Sequence, residues 1–98
     1  MTRPIAAILA ELDQRDLLVD FTAIAKKHHV TIAELMDGKR QLGAASQAKR
    51  ECWLMLTERD WTYSAIARLW GIDHSSVMHG VRKAKGAAIL VELKRGAA

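Results

Sequence analysis

Ninety-eight residues and 10.9 kDa suffice for one compact core and fall short of two ordinary domains, so residues 1–98 read as a single domain. Half the residues are hydrophobic, much of that half alanine, and one proline with six glycines leaves few obligatory breaks, which favours a bundle of short helices over an all-β design of many tight turns. The net charge of +4 is unevenly spread: residues 1–25 hold Arg3 and Arg15 against Glu11, Asp13, Asp16 and Asp20, a balance of −2, and residues 26–98 balance at +6. Such a basic stretch suits either a phosphate backbone or a plain solvated surface.

Cys52 is the only cysteine, which excludes an internal disulfide and points to a reducing cytoplasm. Its place in an apolar helical stretch marks it as a small core residue. The N-terminus lacks the apolar run and cleavage pattern of a signal peptide, and no stretch approaches transmembrane length, so a soluble, cytoplasmic protein without a membrane partner is expected.

In chain order, Pro4 suits the first turn of a helix that carries Ile5, Ile8, Leu9 and Leu12 at helical spacing. The charged run Asp13–Asp16 offers an interruption before a second apolar face, Leu17, Leu18, Phe21, Ile24 and Ala25, which His28 and His29 close. Thr31 followed by Glu34 is a capping box that opens a short helix over Ile32 to about Met36, ended by Gly38. Lys39, Arg40, Gln41, Leu42 and Gly43 form a basic loop. From Ser46 a longer helix runs to about Arg59, with Ala48, Cys52, Met55 and Leu56 on one face and Lys49, Arg50, Glu51 and Arg59 largely off it.

Thr62 is a suitable N-cap for Tyr63–Trp70, Trp61 can pack on Ile66 ahead of it, and Gly71 supplies a left-handed turn. Asp73 offers another N-cap, with Ser76 as the third residue of the next helix. That helix turns Val77, Val81 and Ala84 inward and is expected to reach about Lys85 or Gly86. Ala87–Arg95 adds a further helical turn or two, with Leu90 and Leu93 packing back and Gly96–Ala98 frayed.

Residues 62–85 thus read as helix, glycine turn and helix, the spacing of a helix-turn-helix. His74, Ser75 and Ser76 are short polar side chains on the first turn of the second helix, where hydroxyls and an imidazole can approach base edges in a major groove. Asp73 fits as a cap, as an acceptor for a cytosine amino group, or both. One turn later His79, Arg82 and Lys83, then Lys85, suit the flanking phosphates.

The run Gly71-Ile72-Asp73-His74-Ser75-Ser76-Val77-Met78-His79-Gly80-Val81-Arg82-Lys83 resembles the signature segment of the C-terminal DNA-binding domain of the bacterial replication initiator DnaA. The likeness covers about residues 18–93, most discriminating over Asp73–Lys83, and leaves residues 1–17 as an N-terminal helical extension. It implies an all-α, compact bundle of five or six helices with the helix-turn-helix in its C-terminal half, of the Trp-repressor-like kind. It further implies Asp73, His74, Ser75 and Ser76 as base readers, and Lys39 and Arg40 for the minor groove or a phosphate. Lys49, Arg50, Thr62, His79, Arg82 and Lys83 are candidates for the DNA backbone. Three departures bear on the DNA sequence preferred: Ile72 stands where the family has Arg, Ser76 lacks the methyl of Thr, and the basic loop is poorer in arginine.

The chain has no Gly-x-x-x-x-Gly-Lys-Ser/Thr run, so the initiator's ATPase chemistry is not expected of it. What remains is a free-standing reader of double-stranded DNA, bacterial or phage, associated with the nucleoid. It would compete for initiator sites or serve as a small regulator of transcription or replication initiation. No enzyme activity, small-molecule substrate or cofactor is expected. The spacings of His28, His29, His74 and His79 do not set two imidazoles at i, i+4, so no metal is expected either. Trp53, Trp61 and Trp70 lie at helical spacings beside aliphatic residues and read as core or staple positions. From a different class, a protein-interaction adaptor or homodimer would dock through the N-terminal helix, Ile5–Leu12, which lies outside the likeness.

Overall fold

A computed structural model describes residues 4–37 and 43–96, with side chains as far as Gly86. Among the described residues the fold is all-α, with six helices and no strand: α1 (Ile5–Gln14), α2 (Leu18–Lys27), α3 (Ile32–Leu35), α4 (Ala44–Glu58), α5 (Tyr63–Trp70) and α6 (His74–Gly96). The chain divides into two compact units, residues 1–52 and 53–98, and the division falls within α4.

In residues 1–52 the core is built from Ile8 and Leu12 of α1, Leu17 after it, Phe21 and Ala25 of α2, Leu35 and Met36 of α3, and Ala45, Ala48 and Cys52 of α4. The expected interruption between the first two helices is present at residues 15–17. The Thr31 capping box is also formed: the Thr31 hydroxyl accepts from the Glu34 N–H at 3.1 Å, and the Glu34 carboxylate accepts from the Thr31 N–H at 3.3 Å. Together they satisfy two donors that a helix start leaves without partners. Between α2 and α4, Glu51 takes Lys27 Nζ on one oxygen at 2.6 Å and His28 Nε2 on the other at 2.7 Å.

Among the described side chains of residues 53–98, Trp53 and Leu56 of α4, Ile66, Ala67, Leu69 and Trp70 of α5, and Val77 and Val81 of α6 are buried. The Trp53 and Trp70 rings meet edge to face, with centroids 5.9 Å apart and planes at 88°, an arrangement that suits the aromatic quadrupole. The two tryptophans are core residues, as their spacing implies, whereas Trp61 is half-buried.

Two boundaries differ from the sequence reading. α4 begins at Ala44 rather than Ser46, because Ala44 and Ala45 are the strongest helix formers available and the left-handed Gly43 precedes them. Ser46 is inside the helix, where its hydroxyl accepts from Arg50 Nη1 at 2.8 Å. α6 runs unbroken for 23 residues instead of stopping near Gly86. A glycine ends a helix by adopting a left-handed backbone, and Gly86, flanked by Lys85 and alanines, does not. The short helix stops at Leu35 with Met36 as its C-cap, ahead of Gly38, which lies outside the described residues. Gly96, expected to fray, is the last residue of α6, whereas Ala97, Ala98 and the side chains of Leu90 and Leu93 lie outside the described residues.

Candidate nucleic-acid interface

The segment from Thr62 to Lys85 is held by its caps. The Thr62 hydroxyl accepts from the Ala65 N–H at 3.1 Å and starts α5. At the other end Gly71 sits at φ 69°, ψ 39°, and the Gly71 and Ile72 N–H groups donate to the Arg68 and Ala67 carbonyls at 3.2 and 3.0 Å. This double closure ends α5, and α6 starts three residues beyond Gly71, at His74.

α6 then separates its faces by helical period. Val77 and Val81 are fully buried, Gly80 is buried between them, and Ala84 is half-buried. His74, Ser76, His79, Arg82, Lys83 and Lys85 are exposed, and no acidic residue occurs between His74 and Gly86. The candidate base readers therefore stand in solvent, apart from the half-buried Ser75. Asp73, exposed, precedes the helix: its carbonyl accepts from the Ser76 N–H at 3.1 Å and its Oδ2 from the Ser75 hydroxyl at 3.2 Å. Its Oδ1 lies 3.2 Å from His74 Nδ1.

The backbone candidates fare unequally. His79, Arg82 and Lys83 are exposed on the same helix, and Thr62 is exposed with its oxygen engaged as a cap. Arg50 is half-buried against Ser46. Lys49 is a correction: only 6% exposed, it belongs to the buried stripe of α4 and not to a solvated flank, so it is no phosphate contact. Burial pulls the Lys49 amine below the ordinary lysine range, and the charge of Asp37 opposes that shift. Lys39 and Arg40 lie outside the described residues.

Sequence reasoning passed over two polar features. Arg68 is an exposed cation on α5, signalled by its place opposite the apolar stripe Ile66, Leu69 and Trp70. Glu51, read as a surface charge, binds Lys27 and His28 together; their separation in sequence hides it. Cys52 is sealed in the core, where burial first and the charge of Glu51 second push its thiol far above the ordinary range and leave it without nucleophilic character. No described helix is long and apolar enough to cross a membrane, and the described residues contain no group of three or more His, Cys, Asp or Glu placed to hold a metal ion. Comparison with protein-family models, with curated proteins and with solved structures finds no match for this chain.

Proposed function

We propose that this chain binds double-stranded DNA in a sequence-specific manner, residues 62–85 acting as a helix-turn-helix that lays the amino end of α6 in the major groove. The observation that carries the reading is the outward side of α6: hydroxyls and an imidazole in the first turn, then His79, Arg82, Lys83 and Lys85, all without an intervening carboxylate. That order is the one a recognition helix requires, with small polar groups at the base edges and cations along the phosphates. The resemblance of Asp73–Lys83 to the DNA-binding domain of the replication initiator supports the same reading. Its biological form would be a small regulator of transcription or replication initiation at sites like the initiator's box, acting at the nucleoid without chemistry of its own.

The test is a fluorescence-anisotropy titration against duplexes selected from a random pool. His74→Ala and Ser75→Ala each reduce the preference for the selected site, by roughly 1–3 kcal/mol where the side chain removed reads a base well. Arg82→Ala and Lys83→Ala flatten the dependence of log K on log salt by about 0.9 for each phosphate released. Lys49→Met leaves both quantities unchanged. Retention of full site preference by His74→Ala with Ser75→Ala would refute the assignment.

One observation favours a second reading. Ile5 is 44% exposed, and Ala6, Ala7 and Ala10 are exposed beside it, so α1 offers an apolar surface to a protein partner or a second copy. Association through that surface would persist in a high-salt pull-down, where binding through phosphates falls steeply.

A further inference from the structure

The two contacts of the Asp73 carboxylate fix the hydrogen-bonding character of its neighbours. The Ser75 hydroxyl has a single proton, and it is donated to Asp73 Oδ2 at 3.2 Å, so Ser75 Oγ keeps only lone pairs for anything beyond. Nδ1 of His74 lies 3.2 Å from Oδ1. A bare lone pair on Nδ1 would be repelled by the carboxylate at that distance, so Nδ1 carries a proton, and in a neutral ring Nε2 is then the acceptor. With its side chain 61% exposed, His74 can bring that acceptor to a ligand.

We propose, resting on the DNA-binding reading above, that Asp73 is a positioning residue that makes His74 and Ser75 paired acceptors and thereby selects bases that present an amino group in the major groove. Adenine offers its N6 amino group there and cytosine its N4, whereas the polar atoms of guanine and thymine on that edge, N7, O6 and O4, are all acceptors. Asp73 adds no site to the one already proposed. It sets what that site can read.

The experiment has one arm without DNA and one with it. In the 15N-labelled free protein, imidazole nitrogen shifts and proton couplings give the His74 tautomer: the expected result is Nδ1–H in the native chain and a shift toward Nε2–H in Asp73→Ala. In selections from a random duplex pool, the positions read by His74 and Ser75 are identified as those whose preference weakens in His74→Ala and Ser75→Ala. Every Watson–Crick pair carries one such amino group, so the test is its removal: at those positions duplexes with adenine or cytosine should exceed the same duplexes with purine or 2-pyrimidinone in its place by about tenfold in affinity, the discrimination of one well-formed base pairing with a side chain. Asp73→Asn, close in shape, should narrow that excess at one of the two positions, because its amide has one acceptor and one donor end. A proton on Nε2 in the native chain, in a neutral or a doubly protonated ring, overturns the proposal, and so does full affinity for duplexes stripped of the amino group at those positions, while DNA binding itself stands in both cases. An Nδ1–H ring in a protein that selects no sequence refutes the DNA-binding reading and takes the base class with it.

Discussion

Glu51 shows how a single side chain can carry a pH dependence. Burial alone would raise its carboxyl pKa, but the hydrogen bonds from Lys27 and His28 and their charges outweigh that, so the group is held below the ordinary glutamate range. A carboxylate depressed on folding contributes stability above its unfolded pKa, and that contribution disappears as pH falls through the folded value. Thermal melts of Glu51→Gln should therefore lie below the native chain at neutral pH, with the gap closing as acid protonates Glu51. A gap that stays constant across that range would mean the carboxylate is not what ties α2 to α4. Lys49 teaches the complementary lesson about reading a sequence. Its residue type argues for solvent, yet Ala45, Ala48, Lys49, Cys52 and Leu56 recur at three- and four-residue steps, so the period already places it on the buried stripe. The long methylene stem of lysine tolerates such a position. Periodicity was the better guide here, and charge class misled.

Four of the six helices among the described residues end in the same way, and only one of the left-handed residues that end them was named from the sequence. After α1, α2, α4 and α5 the chain passes through a left-handed residue: Asp16, His29, Asp60 and Gly71, with φ of 57°, 58°, 69° and 69°. The next N–H, of Leu17, Val30, Trp61 and Ile72, donates back to the carbonyls of Leu12, Ala25, Leu56 and Ala67 at 2.8 to 3.0 Å. Each closure joins an apolar residue beyond the helix to one in its last turns, which is the hydrophobic signature of this C-cap. Gly71 announced itself by residue type, whereas Asp16, His29 and Asp60 are types that only tolerate the left-handed region and show themselves through the apolar pair around them. The N-caps were easier, because Thr31 and Thr62 carry the hydroxyl that accepts the helix-starting bond. Two glycines then divide cleanly. A Cβ would meet nothing within 4 Å at either Gly71 or Gly86, so only backbone preference decides. Gly71→Ala should lose about 1–2 kcal/mol in urea denaturation through the forced left-handed conformation. Gly86→Ala, within α6, should gain about 0.5–1 kcal/mol. Changes of the same sign in both would contradict these backbone assignments.

For the molecule as a whole, the all-α class followed from composition and helical spacing, and so did the helices flanking the turn at residues 71–73. Division into two units was not legible, because the apolar period of α4 continues through it: Cys52 and Trp53 are neighbours on one unbroken helix, both buried, one in each unit. The candidate interface was legible where it is local, from Asp73 to Lys85, since one helix supplies every group. Lys49 dropped out because its residue type was followed ahead of the period of α4. The sealed sulfur of Cys52 has a practical consequence. With 0% exposure, it can meet a maleimide or an aromatic disulfide reagent only during excursions that expose the interior. Labelling of the folded chain should therefore be slow and accelerate with denaturant, making the native thiol a built-in clock for breathing of residues 1–52. Prompt labelling in plain buffer would show that this interior admits reagent at rest.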